Sequence, residues 1–187
     1  MIESSEKQNG FAEYIWLDGN LPTQKLRSKS RVIQSNPETI KVSDFPEWGF
    51  DGSSTNQATG DNSDCILKPR TFYDDPIRGF GNYLVMCEVM NPDGTPHETN
   101  SRSLLRKVLD AGGESLEFTA GFEQEYTLFK DGKPLGWHET GEPKEQGPYY
   151  CGVGEAAIYG REIIEDHAQL CIQTGINFYG INAEVMP

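Results

Sequence analysis

Asn82-Tyr-Leu-Val-Met-Cys-Glu-Val-Met90 is the most strand-like stretch of the chain. It is apolar enough for a central position in a sheet, and Asn91-Pro92-Asp93-Gly94 stops it with turn chemistry. Upstream, Phe11-Ala-Glu-Tyr-Ile-Trp-Leu17 reads as a second strand, closed by the turn dipeptide Asp18-Gly19. Lys25–Ile33 reads as a third, and Cys65-Ile-Leu67 as a short one before Pro69. From Pro46 to Pro69 the residues are largely Gly, Ser, Asn, Asp and Thr, so little regular structure is expected there. The first half of the chain is therefore β-rich without a long helix.

One of these strands carries an unusual face. In Lys25–Ile33 the period of two puts Lys25, Arg27, Lys29 and Arg31 on one side, and Leu26 and Val32 on the other. Such a face reads as an anion-binding or subunit-contact strand, or as a solvated surface answered by neighbouring carboxylates. The solvated reading is the commoner outcome for charged strand faces and is the one expected.

Past residue 95 the character changes. Thr99 or Asn100 can cap a helix running through Leu104, Leu105 and Val108 and closed by Gly112. Phe118–Phe129 alternates as a strand, and Asp131-Gly132 suits a hairpin turn. Residues 136–154 form a loop rich in Gly, Pro and aromatics. Residues 154–175 suit a helix with Ala157, Ile164, Ala168 and Cys171 on one side and Gly175 as its stop. Ile176–Pro187 starts a further strand. The expected class is α+β, with a boundary near residues 95–100. An apolar strand at the very end leaves an open edge, so the sequence reads as cut short.

Composition narrows the function. The chain has 187 residues and 20.9 kDa, with 16 Lys+Arg against 29 Asp+Glu and a net charge of −13. That excess of acid disfavours nucleic acid and anionic membranes and favours metal cations and ammonium-like ligands. Cys65, Cys87, Cys151 and Cys171 form no CxxC pair and lie in apolar surroundings, as reduced cytoplasmic thiols do. The opening MIESSEKQNG is polar and reads as a disordered lead-in without a secretory core. The longest apolar run, Tyr83–Cys87, falls far short of the roughly 20 residues a membrane helix needs.

Four segments carry candidate chemistry. In Gly121-Phe-Glu-Gln-Glu-Tyr-Thr-Leu-Phe129, strand spacing would put Glu123 and Glu125 on one face, where two carboxylates repel unless a cation or proton sits between them. Mg²⁺ or Mn²⁺, which prefer hard oxygen, would answer that, although a bare Glu-x-Glu is more often a wet strand face. Glu184, on the polar side of Ile181-Asn-Ala-Glu-Val185, is a weaker third carboxylate. Phe50-Asp-Gly-Ser-Ser-Thr55 offers exposed polar groups, but also reads as ordinary turn chemistry and lacks the Gly-Lys-Ser/Thr of a phosphate loop. Gln146-Gly-Pro-Tyr-Tyr-Cys-Gly-Val-Gly154 combines close backbone approach with two tyrosine hydroxyls, or is a rigid loop over the core. His97, His138 and His167 lack metal-type spacing, and no nucleophile–base arrangement is visible.

Taken together, Trp48-Gly-Phe-Asp-Gly-Ser-Ser-Thr55, Asn82–Cys87, Phe122-Glu-Gln-Glu-Tyr126, Gln146–Gly154 and Gly180-Ile-Asn-Ala-Glu-Val-Met-Pro187 resemble type II glutamine synthetase in order and spacing, from Phe11 to Pro187. The resemblance implies a lead-in over residues 1–10, a β-grasp domain over 11–97, and the start of a catalytic domain with a curved antiparallel sheet over 98–187. It implies that ATP phosphorylates the glutamate side chain and that ammonia then displaces the phosphate. By that resemblance Glu123 would help hold a Mg²⁺ or Mn²⁺ that bridges the ATP phosphates, and Glu125 and Glu184 the metal that orients glutamate. Asp51, with Ser54, would form part of a neighbouring subunit's ammonium site, which Tyr150 approaches. A homo-oligomeric ring with shared active sites is implied, with no nucleic-acid or membrane partner.

Two features depart from the family. Thr119 stands where many eukaryotic members carry a tryptophan near the nucleotide. Members also continue past Pro187 with Gly-Gln-Trp-Glu and a remainder holding further metal ligands and substrate-gripping arginines, so this polypeptide alone is expected to be inactive. The alternative is a half-length, non-catalytic paralogue that enters rings of the intact enzyme and modulates them.

Overall fold

In the first strand, β1 (Gln8–Leu17), Ala12, Tyr14 and Trp16 are buried while Phe11 and Leu17 are exposed, the alternation its sequence prescribes. Five strands form one sheet in the order β2-β1-β5-β4-β3, with β2 at Leu26–Ser35, β3 at Trp48–Asp51, β4 at Asp64–Asp74 and β5 at Tyr83–Met90. The computed structural model describes residues 6–137, 149–154 and 157–185. It divides into two compact units, Met1–Phe118 and Thr119–Pro187.

The first unit is built on this mixed sheet. β1 pairs antiparallel with β2 and parallel with β5, and β4 pairs antiparallel with both β5 and β3. Tyr83, Val85, Cys87 and Val89 of β5 are buried on the same face as Tyr14 and Trp16 of β1 and Cys65 and Leu67 of β4. Full burial of Leu67 and Val85 contributes roughly 1.5–3 kcal/mol apiece. Phe45, just after a 3-10 turn at Val42–Asp44, lies over this face. Its ring is 5.0 Å from Phe72 and 5.4 Å from Tyr83, distances at which aromatic pairs attract through their quadrupoles.

Three sequence expectations need correcting in this unit. Cys65–Leu67 is only the start of β4, which passes through Pro69 to Asp74 with a bulge between Pro69 and Thr71. Because β3 pairs only with residues up to Leu67, the missing N–H of Pro69 falls where, among the described residues, one edge of β4 has no paired strand. Residues 46–69 contain β3 and a 3-10 turn at Gly52–Thr55, because pairing with β4 supplies the order that local propensity does not. The cationic face of β2 is not simply solvated. Arg27 meets the carboxylate of Asp18 at 3.0 Å as expected, but Lys29 and Arg31 lie over the Trp48 ring, at 3.6 and 5.2 Å from its centroid. The register explains this: Arg27, Lys29 and Arg31 stand opposite Trp16, Tyr14 and Ala12, on the inner face of the sheet.

The helix after the sheet, α1 (Ser101–Asp110), is capped by Asn100, whose Oδ1 accepts from the Ser103 N–H at 3.1 Å. Gly112 follows its end at φ 107°, as a C-terminal glycine should.

The second unit holds a short hairpin, β6 (Phe129–Lys130) and β7 (Lys133–Pro134), around Asp131-Gly132. Both turn residues have positive φ, which matches the twist of the flanking strands. It also holds α2 (Arg161–Gln173), followed by Gly175 at φ 78°. This helix begins later than expected because Gly160 is left-handed, at φ 69°. The strands expected over Phe118–Phe129 and Ile176–Pro187 are not formed among the described residues, apart from β6. Alternation prepares a strand, but its backbone groups need a neighbouring strand to bond to, and the hairpin is the only ladder described here. Among the described residues no helix is long and apolar enough to cross a membrane.

Candidate functional site

In the first unit the candidate residues sit on the turn that follows β3. Asp51 ends the strand, and its Oδ1 accepts from the Ser53 N–H at 2.9 Å and the Ser53 hydroxyl at 2.6 Å. Those two donors, against the opposing effect of burial and with a lesser contribution from Ser63, hold its carboxyl below the usual carboxylate range. Asp51 and Ser54 are both exposed, while Gly52 and Thr55 are buried beneath them. Gly52 is required by packing: a Cβ there would lie 2.7 Å from Cys65 Sγ and 3.0 Å from Ala58 Cβ. The outcome is an anionic oxygen and a hydroxyl presented to solvent on a turn anchored from below, an arrangement suited to a small cation.

The anchor is a buried polar network that the sequence reading missed. Gln57, 4% exposed, donates its N–H to the Gly52 carbonyl at 2.8 Å and accepts from the Thr55 hydroxyl at 2.8 Å. Its Nε2 donates to the Leu17 carbonyl at 3.0 Å and to Thr99 Oγ1 at 2.9 Å. His97 Nε2 lies 2.5 Å from the Gln57 carbonyl, and its Nδ1 2.9 Å from Thr99 Oγ1. Nearby, Asp18 is fully buried and accepts from the Lys25 N–H, the Asn20 N–H and side-chain amide, and Arg27. Burial alone would push its carboxyl up, but these donors outweigh that and hold it at about 2. The only sequence signal for this network was a cluster of amides and hydroxyls in a stretch otherwise read as loop.

In the second unit Glu123, Glu125 and Glu184 are exposed. Glu184 accepts from the Asn182 side-chain amide at 2.7 Å. The Cys151 N–H donates to the Ala183 carbonyl at 2.9 Å, which ties the Tyr149–Gly154 loop to the segment bearing Glu184. Tyr150 registers the result. The adjacent Cys151 thiol, then Glu184, and more weakly burial and Glu123, push its phenol above the usual value. The Cys151–Ala183 bond thus brings Tyr150 and the segment bearing Glu184 together. Among the described residues no three of His, Cys, Asp and Glu gather closely enough to hold a metal. The donor chemistry suits Mg²⁺ or Mn²⁺, being all carboxylate oxygen, but the described residues do not assemble it into one ligand set. Gln146–Pro148, His138, Met186 and Pro187 lie outside the described residues. His167 packs against Tyr126, with Nδ1 3.2 Å from the phenol oxygen, consistent with a packing residue.

Comparison with known proteins supplies the context for these two groups. Residues 9–92 match the family described as glutamine synthetase, β-grasp domain. The chain is 52% identical over 176 residues to a glutamine synthetase of Streptomyces viridochromogenes, covering 94% of this chain and 50% of that protein. It is 47% identical over 185 residues to a chloroplastic glutamine synthetase of Chlamydomonas reinhardtii, covering 94% of this chain and 48% of that one. The chain thus spans about half the length of the curated relatives it matches. A cryo-EM structure of Plasmodium falciparum glutamine synthetase matches over 100% of this chain and 40% of its own, with a TM-score of 0.61 at 12% identity. The mixed, curled sheet of the first unit is accordingly a β-grasp fold.

Proposed function

Residues 9–92 belong to the glutamine synthetase β-grasp family and 94% of the chain corresponds to the N-terminal half of proteins named glutamine synthetase, and from that premise we propose that it serves the ATP-dependent ligation of ammonia to glutamate. The observation that carries this is 52% identity sustained over 94% of the chain, far beyond what a shared fold alone requires.

In this reading Asp51 and Ser54 form part of a neighbouring subunit's ammonium site, and Tyr150 approaches that same site. A carboxylate kept ionised by the Ser53 donors favours NH₄⁺ binding and suits acceptance of its proton, which releases ammonia as nucleophile. Glu123, Glu125 and Glu184 would hold Mg²⁺ or Mn²⁺, which when bound offsets the phosphates' charge during phosphoryl transfer. Glutamate, ammonium and ATP are the substrates, and the assembly is a cytoplasmic homo-oligomeric ring with shared active sites. The division at residues 97/98 into a β-grasp and a catalytic part belongs to the same reading.

Residues 1–187 alone are expected not to turn over, because the resemblance implies further metal ligands beyond these three carboxylates. The test joins these residues to the C-terminal half of the Streptomyces viridochromogenes relative and follows ADP release that depends on glutamate and ammonium. Turnover that Glu123→Ala abolishes supports the reading. A joined protein that assembles but releases no glutamate-dependent ADP overturns it, and full turnover by residues 1–187 alone overturns the expected inactivity.

A further inference from the structure

The geometry points to Gln57 as the positioning residue of the Asp51–Thr55 turn, holding the Asp51 carboxylate and the Ser54 hydroxyl in the pose that meets ammonium. The ammonium role rests on the reading of Asp51 and Ser54 proposed above, while the positioning itself rests on contacts within the first unit. Gln57 is 4% exposed, and each of its polar groups is engaged. Its N–H and Oε1 face the turn, bonded to the Gly52 carbonyl and the Thr55 hydroxyl at 2.8 Å each. Its Nε2 faces away, to the last residue of β1 and to Thr99, next to the cap of α1. The Leu17 carbonyl can only accept, so the orientation of the amide is set by its partners.

With one side-chain bond to the turn and two to the scaffold, and its backbone N–H on the turn as well, Gln57 transmits position and does more than fill space. Ser53 and Ser54 are exposed, so burial of their side chains does not fix the turn. Besides Gln57, the backbone bonds from Gly52 N–H to the Ser63 carbonyl and from Gly19 N–H to the Thr55 carbonyl hold it at two further points. Loss of Nε2 would leave buried acceptors short of a donor on the scaffold side, and the turn would lose its tie to β1 and Thr99.

The Asp51 carboxyl reports this directly, because its two bonds to Ser53 exist only while the turn keeps its shape. Its titratable neighbours are Asp64, its register partner on β4, and the Cys65 thiol beneath. Asp93 is an internal control: it makes the same pair of bonds to Thr95, at 2.9 and 2.6 Å, in a different turn. The experiment follows both carboxyl carbons by ¹³C NMR between acid and neutral pH in the full chain, in wild type, Gln57→Met and Thr99→Val. The expected result is an upward displacement of the Asp51 midpoint in both variants, larger for Gln57→Met, with Asp93 unmoved. An unmoved Asp51 in folded Gln57→Met, or equal displacement of Asp51 and Asp93, overturns the proposal. Should Gln57→Met fail to fold, Thr99→Val decides alone, since it removes one acceptor and leaves Gln57 in place. No turnover is measured, so failure here leaves the synthetase reading standing, and failure of the joined protein leaves the positioning result standing.

Discussion

Lys29, on one edge strand of the sheet, donates its ammonium to the Gly49 carbonyl, on the opposite edge strand, at 2.9 Å. The sheet is curled far enough for its first and last strands to meet, and the meeting is covered by the Trp48 ring, 3.6 Å from Lys29 Nζ. Tyr14 joins from the middle, its ring 5.5 Å from Trp48 and its hydroxyl donating to the Pro46 carbonyl at 2.7 Å. An inward-facing cation on an edge strand also discourages pairing with a second chain.

Lys29→Ala removes both the cation–π contact and the cross-sheet bond, and is expected to destabilise the first unit by about 1–2 kcal/mol. Lys29→Met, which keeps most of the apolar stem, should lose less. Urea unfolding read by tryptophan fluorescence checks both. An unchanged midpoint for Lys29→Ala would show that the curl needs no closure from β2.

Asp18 makes stability depend on acid. Its folded-state carboxyl, at about 2, lies below the ordinary unfolded value near 3.9. The stabilisation is therefore fully present above about pH 4 and is lost as pH falls towards 2. Wild type should lose more stability than Asp18→Asn across that window, while Asp18→Asn should be the weaker protein near neutrality because the Lys25 and Arg27 donors lose their anion. Parallel slopes for the two proteins between pH 4 and 2 would rule this out.

The four cysteines should differ in reactivity. Burial pushes the Cys87 thiol up to about 12 and raises that of Cys65, whereas Cys151 is exposed and Cys171 partly so. Since the thiolate is the nucleophile, iodoacetamide at mild alkaline pH should label Cys151 first and leave Cys65 and Cys87 untouched until denaturant is added. Peptide mass spectrometry after timed quenching reads the order. Early modification of Cys87 would mean that the β1–β5 core opens readily.

Gly52→Ala should cost about 1–3 kcal/mol through overpacking against Cys65 Sγ and Ala58. Removing the sulfur in Gly52→Ala/Cys65→Ala should return part of that loss, so the two changes should be non-additive. Thermal unfolding of the four members of the cycle measures the coupling. A coupling near zero would place the strain elsewhere.

The strands of the first unit were legible because each carries its own pattern: Ala12, Tyr14 and Trp16 alternate with outward residues, and Tyr83–Met90 is apolar at every position but Glu88. The Asn100 cap and the Asp131-Gly132 hairpin were equally readable, since capping and positive φ are local matters. The motifs around Asp51, Glu123, Tyr150 and Glu184 likewise stood out as short strings of residues. None of these readings needed a distant part of the chain.

Tertiary structure alone decided the rest. It carried β4 through Pro69, turned Lys29 and Arg31 inward onto Trp48, and gave Gln57 its six partners from β1 to Thr99. Among the described residues it also left Phe118–Leu128 without a ladder despite their alternation. The physical reason is the same each time. A propensity is written in neighbours along the chain, but a hydrogen bond or a ring contact exists only where a second segment arrives to complete it.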